Sequence, residues 1–232
     1  MRSVSTMTRN VTLLAAAMLG LTICGVAMAI EEPAFEVIDK AENFEIRQYR
    51  PVIVAETFVD GDMSAASSSG FRRIADYIFG NNRSISGSDG KAPEKIAMTA
   101  PVSVEPVTRS EKIAMTTPVN VEPQGDADRG MTDSKRWRVQ FTMPSGYTML
   151  TLPKPLNPAV VLREVPGKRY AVLVFSGFAG EEKAQQKTDE LAAWLKSKNL
   201  KAIAAAQLAR YDPPWTLPFL RRNEILVEIA GP

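Results

Sequence analysis

A chain of 232 residues with 45% hydrophobic and 23% charged residues is long enough to bury one generous core. Its formal charge is +2, and both surplus cations, Arg2 and Arg9, lie in the first 29 residues, so the remainder is neutral and lacks the basic balance that nucleic-acid binding uses. Histidine is absent and Cys24 is the single cysteine, which removes the commonest general base, the Ser/His and Cys/His nucleophile arrangements and the usual zinc ligands.

Arg2 and Arg9 precede an uncharged apolar run, Val11 to Met28, that ends Ala27-Met28-Ala29. This order predicts a secretory signal peptide over residues 1–29, cleaved after Ala29, and an exported, periplasmic product. An uncleaved membrane anchor would need a longer apolar run. A lipoprotein reading, acylated at Cys24, is the other alternative, with Ile23 standing where such signals carry a small residue. Cleavage after Ala29 leaves residues 30–232 without cysteine and hence without disulfides.

Phe35, Val37 and Ile38 open a strand, Phe44 to Tyr49 alternates apolar and polar residues as a second, and after Pro51 the β-branched run Val52 to Val59 predicts a third. Asp62 or Ser64 can cap a helix from Ala65 to Phe79, in which Phe71, Ile74, Ala75 and Ile78 fall at helical spacing with Arg72, Arg73 and Asp76 outside the stripe. Gly80 to Asn82 stops it, and residues 81–93 read as a loop.

Glu94 to Pro106 then returns almost unchanged as Glu111 to Pro123, differing only at Ala100/Thr117 and Ser103/Asn120. Ile96, Met98, Ala100, Val102 and Val104 alternate along the first copy, so each copy is expected to form one strand with an apolar face, the two pairing as an antiparallel hairpin. Pro101 and Pro118 lack a ladder N–H and belong at an edge, a bulge or a strand break.

Arg136 to Met143 alternates as a half-buried strand, and four prolines make Pro144 to Pro158 irregular. Val160 to Val165 and Arg169 to Phe175 read as strands around Pro166-Gly167. A helix follows from Glu181 to about Lys198, acidic at its start and basic at its end, as the helix dipole favours. Lys201 to Tyr211 and Asn223 to Ile229 complete the pattern. Strand, strand, helix, strand thus recurs in both halves, predicting an α+β domain whose pseudo-repeated units form a twisted antiparallel sheet or open barrel with two packed helices. Neither a dinucleotide-binding glycine motif nor a phosphate-binding loop occurs, since Gly177 to Gly180 lacks the required lysine and hydroxyl.

Ile96-Ala97-Met98-Thr99-Ala100-Pro101-Val102 resembles the signature of the SOUL haem-binding family. Glu45-Ile46-Arg47-Gln48-Tyr49, Gly70-Phe71 to Gly80, Tyr211-Asp212-Pro213-Pro214-Trp215 and Arg222-Asn223-Glu224 carry the likeness across residues 30–232. It implies a non-catalytic binding protein for haem or a related tetrapyrrole, with an apolar groove between the first helix and the sheet. Phe71, Ile74, Ala75 and Ile78 would face the macrocycle, Arg72 or Arg73 a propionate, and Trp215 could cap the groove. Where a member ligates iron by histidine, that ligand falls at the place of Gln48, and Tyr49 is the neighbouring candidate. No imidazole is available here, so haem would be held without one. For Met98 and Met115 core filling is the plainer reading, and for Tyr49 a structural role. Two alternatives keep the fold: a module binding another hydrophobic small molecule, and a hydrolase using Glu45 or Glu56 with Tyr49.

Overall fold

The computed structural model describes residues 30–85, 93–107, 131–132 and 134–231; the expected signal segment and the second copy of the motif lie outside them. Two strands, β1 (Phe35–Ala41) and β2 (Phe44–Tyr49), form a hairpin through Glu42, whose φ is 54°. After β3 (Val52–Asp60), Asp62 accepts a hydrogen bond from the Ala65 N–H at 2.8 Å and caps α1 (Met63–Ile78). The chain continues through β4 (Asn82–Arg83), β5 (Val102–Pro106), β6 (Arg136–Thr142), β7 (Lys154–Pro155), β8 (Val161–Val165) and β9 (Arg169–Phe175). It ends with α2 (Glu181–Ser197), β10 (Gln207–Arg210) and β11 (Asn223–Glu228).

Nine strands form one antiparallel sheet in the order β1-β2-β9-β11-β10-β5-β6-β3-β8, and β4 pairs with β7 apart from it. β2 and β3 flank five other strands, yet only Arg50 and Pro51 join them. A flat sheet would hold them about 29 Å apart, whereas the joining residues reach about 10 Å, so the sheet must roll into an open barrel. The link from β8 to β9 makes the same crossing, and the two links touch: the Tyr49 N–H donates to the Lys168 carbonyl at 2.8 Å. Gly167 is needed there, because a Cβ would lie 2.9 Å from the Tyr49 carbonyl oxygen.

The halves are related by the middle of the sheet. β3, β6 and β5 of the first half mirror β9, β11 and β10 of the second, while β2 joins the second half's strands and β8 the first's. α1 packs on β3 and β6, and α2 on β9 and β11. Side chains on the helix-facing side make the core: Trp137, Val139, Phe141, Leu173, Leu208 and Ile225 are all buried. Trp137 keeps its indole N–H satisfied by the Gly61 carbonyl at 3.0 Å.

The first copy of the motif is strand only from Val102 onward. Ile96 to Ala100 runs irregularly beside α1, its Ile96 N–H bonded to the Ile78 carbonyl at 2.8 Å, and Pro101 has no N–H to carry the ladder back into it. Burial does not alternate: Ile96 is inside, and Thr99, Ala100 and Pro101 are buried in succession before Val104. β5 pairs with β6 on one flank and β10 on the other, which leaves no flank for the expected hairpin with the second copy. The last long strand expected, Lys201 to Tyr211, is a ladder only over Gln207–Arg210, preceded by a single bridge from Ala202 to Ile229.

Candidate functional site

The residues that the sequence nominates fall in four places. Ile74, Ala75 and Ile78 lie under α1, buried against the sheet, and the contact is tight because Gly70 stands over Val139, where a Cβ would come within 2.5 Å. At Gly70, therefore, α1 and β6 are in direct contact. Phe71 and Arg72 lie further round the helix: Phe71 is partly exposed with its ring 5.4 Å from Phe141, and Arg72 donates to the Ser69 hydroxyl at 3.3 Å. Gln48 shares the helix-facing side of β2, donating to the Tyr49 carbonyl at 3.3 Å, whereas Tyr49 points into the barrel lumen. Trp215 stands in the loop before β11, 83% exposed.

The lumen carries a buried ionic cluster. Glu224, wholly inaccessible, accepts from Arg47 at 2.9 and 3.1 Å, from Arg222 at 2.8 and 3.0 Å, and from the Tyr211 hydroxyl at 2.7 Å. Arg47 also donates to Glu45 at 2.7 Å and to the Tyr49 hydroxyl at 3.0 Å. Burial pushes the Tyr211 and Tyr49 hydroxyls up from the ordinary tyrosine range, and the Glu224 charge raises both further. Burial disfavours the Glu45 carboxylate too, but hydrogen bonds from Lys40 and Arg47 outweigh it and hold its pKa below the usual value. In this cluster the carboxylate that bonds a tyrosine is Glu224, with Tyr211. Two guanidinium groups occupy it, and Tyr211 stays a protonated donor, so neither is a free base or nucleophile. Glu56 is clasped by Arg163 at 2.8 to 3.2 Å. Beside this cluster Tyr49, Tyr170, Tyr211, Gln140 and Ser103 border a cleft of about 80 Å³. Sites for drug-sized ligands run to about 300–1,000 Å³, so a tetrapyrrole does not enter it.

A second feature lies at the surface. Phe178, Trp215, Leu217, Phe219 and Leu220 expose 56 to 83% of their surface on two adjoining loops. The loops are stapled: the Gly177 N–H donates to the Pro218 carbonyl at 2.9 Å, and Asn223 donates to the Gly177 carbonyl at 3.0 Å. Arg221 donates to the Thr216 carbonyl at 2.8 Å and to the Pro214 carbonyl while its guanidinium lies 4.9 Å from the Phe178 ring centre. Pro213, Pro214 and Pro218 stiffen the longer loop. An exposed apolar ledge held this rigidly is a surface for association. Trp215 and Phe219 were visible in the sequence as aromatics among prolines; Phe178, a lone aromatic in a turn, carried no such signal.

Across the chain the model of the "SOUL heme-binding protein" family matches residues 30–110 and again residues 105–228. The chain belongs to the SOUL haem-binding family. Among curated proteins none matches the sequence. Of solved structures, the C-terminal domain of EcmrR is similar at a TM-score of 0.52 and 8% identity, covering 82% of this chain and 98% of that one. EcmrR in a complex with DNA gives 0.53 at 10% identity over 82% and 57%. A hydrolase from Listeria innocua gives 0.48 at 11% identity over 83% and 94%. At these identities the EcmrR likeness is one of fold.

Haem fits this SOUL protein unevenly. The ledge offers aromatic faces and a guanidinium, which suit a macrocycle and its carboxylates. None of Phe178, Trp215, Leu217, Phe219, Leu220 or Arg221 is an iron ligand, and among the described residues no group of three or more acidic, histidine or cysteine side chains could hold a metal.

Proposed function

We propose that this SOUL protein binds haem or a related tetrapyrrole by its ring, without catalysis, on the ledge of Phe178, Trp215, Leu217, Phe219 and Leu220. The observation that carries this reading is the exposure of five large apolar side chains on two stapled loops. Stacking on Trp215 and Phe219 replaces water on both partners, and Arg221 stands at the rim for a propionate. Recognition through the ring alone makes the iron dispensable. A role without catalysis is supported by the lumen, where Glu224, Glu56 and Glu45 are each clasped by arginine. An exported location, from the expected signal over residues 1–29, completes the proposal.

The test is a titration with haemin and with metal-free protoporphyrin, read by the Soret band and by tryptophan emission. Both ligands should saturate with similar affinity. Trp215→Ala together with Phe219→Ala should weaken both by about tenfold, the loss of two aromatic contacts. Tight haemin binding with none for the iron-free ring, or affinity unmoved by the double substitution, overturns the ledge.

A further inference from the structure

We propose that Arg210 receives a carboxylate of the molecule lying on the ledge, so that the ligand is a flat ring bearing separate acid groups, one for Arg210 and one for Arg221. The inference rests on the ledge reading above and names what that surface selects.

The observations lie at the foot of Phe178. β10 runs beside β11 with Arg210 opposite Asn223, so both side chains leave the sheet on the same side. Asn223 grips the loop just before Phe178, donating to the Gly177 carbonyl at 3.0 Å, and Arg210 grips it just after, its Nη2 donating to the Ala179 carbonyl at 2.7 Å. The Nη1 group of Arg210 reaches across to α1 and donates to the Ser67 hydroxyl at 3.1 Å, which gives its own proton to the Met63 carbonyl at 2.6 Å.

The two grips differ in charge. At Gly177 a neutral amide suffices. Arg210 is half-buried, its remaining N–H donors have no acceptor among the described residues, and no carboxylate among them pairs with it. Arg47, Arg138 and Arg222, by contrast, each meet a carboxylate at 2.7 to 2.8 Å. Burial alone holds the Arg210 guanidinium below the ordinary arginine range. Burying an unopposed charge costs far more than burying an amide, so holding the loop does not account for an arginine here, whereas an anion brought from outside does.

The position favours an anion carried by the ring itself. Phe178 is 68% exposed, the Arg221 guanidinium lies 4.9 Å from its ring centre, and Arg210 is bonded to the carbonyl of the next residue. Two guanidinium groups without a protein carboxylate among the described residues thus bracket one exposed aromatic face. A flat ligand stacked there presents acid groups at its edge to both, and the guanidinium fork matches the plane of a carboxylate.

The test compares protoporphyrin with its dimethyl ester, titrated into the full chain and into Arg210→Gln, which keeps an amide for the Ala179 carbonyl and drops the charge. Tryptophan emission reads the affinity. Arg210→Gln should weaken protoporphyrin by about tenfold to a hundredfold, the worth of one hydrogen bond to a charged group, and leave the ester within about twofold. Arg210→Lys should recover part of the loss. Equal weakening of both ligands makes Arg210 a strut of the loop, and undiminished protoporphyrin binding removes the contact; either overturns the proposal. If sodium acetate protects the parent but not Arg210→Gln from thermal unfolding while protoporphyrin affinity is the same in both, the site takes a free carboxylate and the link to the ledge is refuted. The ledge is read separately: Trp215→Ala with Phe219→Ala should weaken acid and ester alike, and if it moves neither while the Arg210 effect persists, the ledge falls and the carboxylate contact stands.

Discussion

Replacing Gly70 by alanine separates a sealed helix from a spacious one. In a roomy site the change would stabilise, since glycine in mid-helix costs about 1 kcal/mol relative to alanine. Here the new methyl would meet Val139 Cβ and Cγ2 at 2.5 Å and Cγ1 at 2.9 Å. Carbon atoms rest about 3.5–4.0 Å apart, so α1 or β6 must retreat by about 1 Å, and both are held by the core. Overpacking by one methylene costs about 1–3 kcal/mol, and the neighbour that must yield is short and β-branched, which places Gly70→Ala near the upper end. After the helix-propensity gain, a net loss of about 1–2 kcal/mol is expected, read as a lower urea midpoint at unchanged slope. Val139→Ala alone should lose about 2–3 kcal/mol through its missing methyls and the space they leave. The double variant should fall short of the sum by about 1 kcal/mol or more, because the second change makes room for the first. A Gly70→Ala protein more stable than its parent would refute the tight contact and reopen the underside of α1 as a ligand groove.

All five tyrosines, Tyr49, Tyr77, Tyr147, Tyr170 and Tyr211, have hydroxyls raised above their ordinary range, with burial the first cause in each. The folded form thus resists ionisation while the unfolded chain ionises near pH 10, so stability should be intact below that pH and fall steeply above it, by up to about 1.4 kcal/mol per pH unit for each fully protected hydroxyl. Absorbance at 295 nm should stay flat until the protein unfolds and then rise in one step; a gradual rise with the fold intact would contradict the burial. Asn82→Ala removes a buried side chain that donates to the Tyr77 and Glu94 carbonyls and accepts from the Glu94 N–H, and should cost about 2–3 kcal/mol in chemical denaturation. Glu224→Gln leaves Arg47 buried without its full countercharge and should cost about 3 kcal/mol; Arg47→Met added to Glu224→Met should recover part of it, and simple additivity would show that the pair is uncoupled.

Local pattern made the elements legible. The β-branched run at Val52 to Val59, the Trp137-Val139-Phe141 alternation and the capped helix after Asp62 each depend on neighbours in sequence, and each lies where expected. Partnership across the sheet was not legible. β2 with β9 and β3 with β8 are pairings between distant segments, and the link from Arg47 to Glu224 spans 177 residues. The stripe Ile74, Ala75, Ile78 shows why the nominated groove was ambiguous: helical spacing identifies an inward face without saying whether a ligand or a strand lies opposite. Gly70 was the available clue, a small residue mid-helix beside a large one, which marks close approach of another backbone. Exposure of Trp215 and Phe219 was hidden likewise, since an aromatic among prolines suits a buried corner as well as a bare rim.

The crossed placement of β2 and β8 has a consequence for how the chain can be divided. A cut in the proline-rich stretch between Pro144 and Pro158 would leave each piece with a border it cannot cover and a strand with nowhere to lie. Separately the pieces should stay molten; mixed, they should clasp like the two sides of a buckle, and a split reporter could be built on that reunion.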